Sequence, residues 1–124
     1  MIAVDTCVLI AFLEGDPGPD VEKLAELLAS NKAVLAPSAV TELLSDPSGG
    51  PASAAMVGKL KQLTLEDGYW ERAGATRAAI RRNGRKAALG DALIAQACID
   101  AGIPLLTRDS DFKAFESLAG LRLA

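Results

Sequence analysis

A chain of 124 residues, half of them hydrophobic, has the size of one domain and enough apolar material for a sizeable core. It contains no histidine, which excludes Ser-His and Cys-His nucleophilic pairs, a histidine general base and every histidine-containing metal site. Acid–base and metal chemistry therefore falls to Asp and Glu, whose oxygens suit hard cations such as Mg²⁺ or Mn²⁺, while a net charge of −3 on its own argues against a polyanionic partner.

Ile2–Val4 is a short apolar run that predicts a first strand, stopped by Asp5, and Thr6–Leu13 continues apolar for the length of a helix. No basic segment precedes this run and none in the chain nears the roughly 20 apolar residues of a membrane span, so a cytoplasmic protein without a membrane partner is expected. Residues 14–20 (EGDPGPD) read as a turn-rich loop. Val21, Leu24, Leu27 and Leu28 recur at helical spacing and predict a helix over residues 21–30. Residues 33–36 read as a second buried strand, stopped by Pro37, and Ser38 is placed to cap a helix ending at Leu44. Residues 45–53 (SDPSGGPAS) are loop by composition, residues 54–63 resume a helix, and residues 63–65 suit a short strand.

A helix is predicted over residues 68–83, closed by Asn83-Gly84, and another over Leu89–Ala101, closed by Gly102. Residues 103–107 form a third clear strand, residues 109–118 a last helix, and residues 121–123 fit a final strand. Strands alternating with helices predict one α/β domain over residues 1–124, its short parallel sheet of four to five strands covered on both faces. Ligands of such sheets gather beyond the carboxyl ends of the strands, where Asp5 and Asp109 fall. Cys7 and Cys98 each lie alone in an apolar run and read as small hydrophobes rather than disulfide or zinc partners.

Each carboxylate admits two readings. Asp5 either caps the helix from Thr6 or serves a site at the end of its strand. Asp91 shares the apolar stripe of Leu93, Ile94, Ala97, Cys98 and Ala101, where a charge is costly unless it is paired or binds a metal. Its place in the first helical turn, favoured by the helix dipole, is the alternative. Glu42 points away from the stripe of Val40, Leu43 and Leu44, and periodicity assigns it to solvent. In Thr107-Arg108-Asp109-Ser110-Asp111-Phe112, either aspartate can cap the helix that follows. Arg72, Arg77, Arg81, Arg82, Arg85 and Lys86 make a basic block with no acid from residue 73 to residue 90, which is either a phosphate-facing patch or a solvated helix face.

The segments IAVDTCVL (residues 2–9), PSAVTELL (Pro37–Leu44) and LGDALIAQACIDAGIPLLTRDSDF (residues 89–112), in this order and spacing, resemble the PIN-domain family and its VapC-type toxin branch. The resemblance implies a three-layer α/β/α domain with an acidic site that binds Mg²⁺ or Mn²⁺ and hydrolyses RNA phosphodiester bonds. Asp5, Glu42 and Asp91 match the family's acids. Asp109 matches a less regular fourth, whose role Asp111 can share or replace, and Thr6 and Thr107 match supporting hydroxyls. Arg77, Arg81, Arg82, Arg85 and Lys86 would then hold the RNA backbone, and the partners implied are an antitoxin protein and a second copy of the chain. A catalytically silent PIN-like interaction module remains the alternative. A haloacid-dehalogenase-type phosphatase needs an aspartate where this chain has Cys7, and a receiver domain needs neighbouring acids and a late lysine on strand ends that are not found. Five aromatics, Phe12, Tyr69, Trp70, Phe112 and Phe115, are too few for base stacking to be expected to dominate binding.

Overall fold

Strands of two or three residues suffice where both faces are covered. The computed structural model describes residues 1–124 as β1 (Ile2–Val4), α1 (Thr6–Leu13), α2 (Pro19–Ala29), β2 (Ala33–Leu35), α3 (Pro37–Leu44), α4 (Gly50–Lys59), β3 (Lys61–Gln62), α5 (Tyr69–Arg82), α6 (Leu89–Ala101), β4 (Leu105–Leu106) and α7 (Lys113–Ala119). A 3₁₀ turn over Ser110–Phe112 leads into α7. The four strands lie in the order β3-β2-β1-β4, every neighbouring pair parallel. The register pairs Ala3 with Val34 on one side and with Leu105 on the other. Parallel strands connected through helices bury both sheet faces, which is why Ala3, Val4, Val34, Leu35, Leu105 and Leu106 are all apolar and buried. The result is a three-layer α/β/α sandwich whose core also takes Val8, Leu9, Leu24, Leu43, Ile80, Ile94, Cys98, Phe112 and Phe115. No helix is long and apolar enough to cross a membrane.

Several boundaries differ from the sequence reading, each for a local reason. The loop expected over residues 14–20 gives way at Pro19, whose fixed φ suits the first position of α2. Pro37 does the same for α3, so Ala36 rather than Ser38 is the N-cap, and no side chain caps this helix. The Ser38 hydroxyl is buried without a hydrogen-bond partner. α4 begins at Gly50 inside the segment read as loop. β3 lies upstream of the expected residues 63–65, because its exposed Lys61 and Gln62 carry no apolar signal on an edge strand. The expected final strand is reduced to one parallel bridge between Leu105 and Leu123. The helix expected from Asp109 is split, since the Asp109 side chain accepts the Asp111 amide at 2.9 Å and tightens the first turn to 3₁₀.

These connections set the stage for the polar groups. Asp5 ends β1, α3 starts directly after β2, and the 109–111 turn follows β4. α6 enters from the loop behind α5, which Gly84 closes with a left-handed φ of 75°.

Candidate metal centre

Asp5 is only 5% exposed, and the capping role read from sequence is the one its contacts display. Oδ1 accepts the Thr6 amide at 2.8 Å, which caps α1. Oδ2 accepts the Thr107 hydroxyl at 2.7 Å and the Cys7 thiol at 3.0 Å. Thr107 Oγ1 in turn accepts the Asp109 amide at 3.0 Å, so one hydroxyl ties the end of β1 to the turn after β4. Thr6 contributes mainly its amide, for its hydroxyl stands 3.5 Å from Oδ1.

The tightest group of acids is Asp91, Asp109 and Asp111, each offering an oxygen within 4.8 Å of the others. Asp91 reaches it from the first turn of α6 and is half-buried, as its place on an apolar stripe requires. Burial pushes its carboxyl up to about 6, with further pushes from Asp109, Asp5, Glu42 and Asp111 in that order. Asp111, expected to share or replace the role of Asp109, stands beside it in this trio.

Glu42 is exposed as a residue, in keeping with its periodicity, yet its carboxylate crosses to the start of α6. A Cβ placed on Gly90 would stand 3.2 Å from Glu42 Oε2, so the glycine beside Asp91 leaves the room that this carboxylate takes. Desolvation, then the charge of Asp5, hold Glu42 above the usual carboxylate range. Sequence periodicity sees only the faces of one helix and had no means of showing this approach between α3 and α6.

The basic block separates into distinct parts. Arg72 grips Asp100 through Nε and Nη2, the latter at 2.6 Å, and donates to the Asp67 carbonyl at 2.8 Å, so it joins α5 to α6 and leaves the candidate patch. Arg77 Nε donates to the Ala87 carbonyl at 2.8 Å and pins the loop that leads to Asp91. Arg81, Arg82 and Arg85 are exposed. Lys86 Nζ lies 2.9 Å from Asp111 Oδ2, which places an ammonium against the trio. Sequence reading missed the pair of Arg108 with Asp20 at 2.7 Å, which fastens the loop after β4 to the start of α2. Its partners are 88 positions apart and give no local signal.

The donors suit a hard divalent cation. They are all carboxylate oxygens, since burial and Asp5 push the Cys7 thiol up to about 11 and keep it a protonated donor. Two carboxylates about 4 Å apart repel by roughly 4 kcal/mol at an effective dielectric of 20, a cost that a bound cation removes.

A family model described as PIN domain matches residues 2–118. No curated protein sequence matches the chain. Among solved structures, VapBC-1 from nontypeable Haemophilus influenzae superposes with a TM-score of 0.75 at 19% identity, covering 100% of this chain and 97% of that one. VapBC2 from Rickettsia felis, bound to a DNA fragment from their promoter, gives 0.74 at 18% identity, covering 100% and 98%. VapBC-5 from Mycobacterium tuberculosis, a member of the VapBC family of toxin-antitoxin systems, gives 0.71 at 20% identity, covering 98% and 94%. At these identities the likeness is one of fold.

Proposed function

The chain belongs to the PIN domain family, and from that premise we propose that it is a metal-dependent endoribonuclease, the toxin of a type II toxin–antitoxin pair acting in the cytoplasm. The observation that carries this reading is the convergence of Asp91, Asp109 and Asp111 within 4.8 Å, with Asp91 pushed up to about 6 by burial and then by its acidic neighbours. Asp91, Asp109, Asp111 and Asp5 would hold Mg²⁺ or Mn²⁺. Such an ion, when bound, supplies a Lewis acid that activates water and offsets charge at phosphorus.

The side chains do the rest. Thr107 holds Asp5 Oδ2 and the Asp109 amide in fixed positions. Glu42, at the rim of the cluster, and Asp109 position the attacking water. Arg81, Arg82, Arg85 and Lys86 supply the positive charge a net-acidic protein needs to hold RNA, and Arg77 anchors the loop that carries Arg85 and Lys86.

The VapBC likeness in fold supports an antitoxin protein as partner. Self-association as a homodimer has a face to use. Leu44, Trp70 and Leu89 are exposed by 52%, 63% and 61%, and Trp70 and Leu89 line one groove of about 720 Å³ with Leu65 and Leu93. The nuclease reading is tested by RNA cleavage in chelator followed by add-back of single metals. Loss in chelator and recovery with Mg²⁺ or Mn²⁺ is expected, and full cleavage in chelator overturns the mechanism.

A further inference from the structure

Lys86 has one recorded partner, Asp111, at 2.9 Å, and its side chain is otherwise 72% exposed. The other bases of its segment that make contacts are engaged differently. Arg72 is clamped on Asp100, and Arg77 is tied to a backbone carbonyl. A single exposed ion pair is a weak tether, worth little against solvent and salt. Its position gives it meaning, because Asp111 shares its space with Asp91 and Asp109.

We infer that Lys86 is a resident counter-ion of the acidic trio, which a divalent cation displaces from Asp111, and that the freed ammonium then contacts the phosphate to be cut. The inference rests on the metal-centre reading above. A cation that takes Asp111 Oδ2 competes directly with the ammonium 2.9 Å from that oxygen, and the flexible four-carbon stem of a lysine lets its charge move several ångströms while its Cα stays in place. Loading of the cation and binding of the polyanion are thereby coupled. The cation makes the ammonium available at the mouth of the site, and by linkage RNA favours the loaded form.

Two measurements on the full chain test this. Mn²⁺ binding, followed by electron paramagnetic resonance of the free ion, compares wild type with Lys86→Met and Lys86→Arg. Lysine acylation read by peptide mass spectrometry, with and without Mg²⁺, compares Lys86 with exposed Lys113. Lys86→Met should bind Mn²⁺ roughly threefold tighter, the scale of one exposed pair, while Lys86→Arg stays near wild type. Mg²⁺ should speed acylation of Lys86 and leave Lys113 unchanged. Normal Mn²⁺ binding that Lys86→Met does not alter, or acylation of Lys86 that Mg²⁺ does not alter, overturns the counter-ion inference alone. Absence of Mn²⁺ binding in wild type and both variants overturns the metal centre, and this inference with it.

Discussion

Asp91 is the carboxylate that its surroundings shift furthest. Its carboxyl is pushed up to about 6 from an ordinary 3.8, so the folded chain binds its proton more tightly than the unfolded chain does. The sign follows from linkage: the favourable contribution is complete below pH 3.8 and is lost as pH rises through about 6. Metal-free Asp91→Asn should therefore be more stable than wild type near neutral pH, by about 1–2 kcal/mol after allowance for partial exposure, and the gain should vanish near pH 4. Urea unfolding in chelator at the two pH values measures it, and an equal gain at both would disprove the raised Asp91 carboxyl. Thr107→Val makes a second test, since it strips Asp5 Oδ2 and the Asp109 amide of one shared partner. A stability loss of about 1–2 kcal/mol and weaker Mn²⁺ binding are expected. Unchanged Mn²⁺ affinity would show that Thr107 does not position the acids.

At the scale of elements, α3 and α6 meet where Glu42 crosses Gly90. Gly90→Ala should raise the intrinsic helix preference by up to about 1 kcal/mol while pressing the Glu42 carboxylate to shift by a few tenths of an ångström. Cleavage is expected to fall about tenfold, the cost of misplacing one positioning group, with stability held or raised. Unaltered turnover would remove Glu42 from the proposed machinery. The exposed arginines around the end of α5 give another test, because replacing Arg81, Arg82 and Arg85 together by alanine should shallow the salt dependence of RNA binding by about two units of slope or more. An unchanged slope would make them a solvated face. Much of this was legible in the chain: α6 and its acid were marked by an apolar stripe with one charge on it, and β1, β2 and β4 by apolar runs. β3 was misplaced because an exposed edge strand has no such stripe. Glu42's approach, the Arg72–Asp100 clamp and Lys86's seat on Asp111 depend on pairs of elements, and no single element's pattern encodes them.

For the whole molecule, the exposed Trp70 and Leu89, which line one groove, supply the apolar surface that the proposed homodimer would cover. Trp70 is the chain's single tryptophan, so its fluorescence should shift to the blue as protein concentration rises, and Leu89→Asp should remove the shift and leave a monomer by light scattering. A concentration-independent spectrum with a monomeric wild type would contradict the dimer. What the fold contributes to the proposed function is to bring Asp91 at the start of α6 against Asp109 and Asp111 in the turn after β4, with Asp5 at the end of β1 close enough to act on Asp91, beyond the carboxyl ends of the strands. Single-turnover RNA cleavage at saturating Mn²⁺, wild type against Asp91→Asn, tests that claim most directly. The account predicts a loss of at least about a hundredfold, the scale of removing one electrostatic group from a reacting centre, in a variant that remains folded. Wild-type turnover by Asp91→Asn would contradict it.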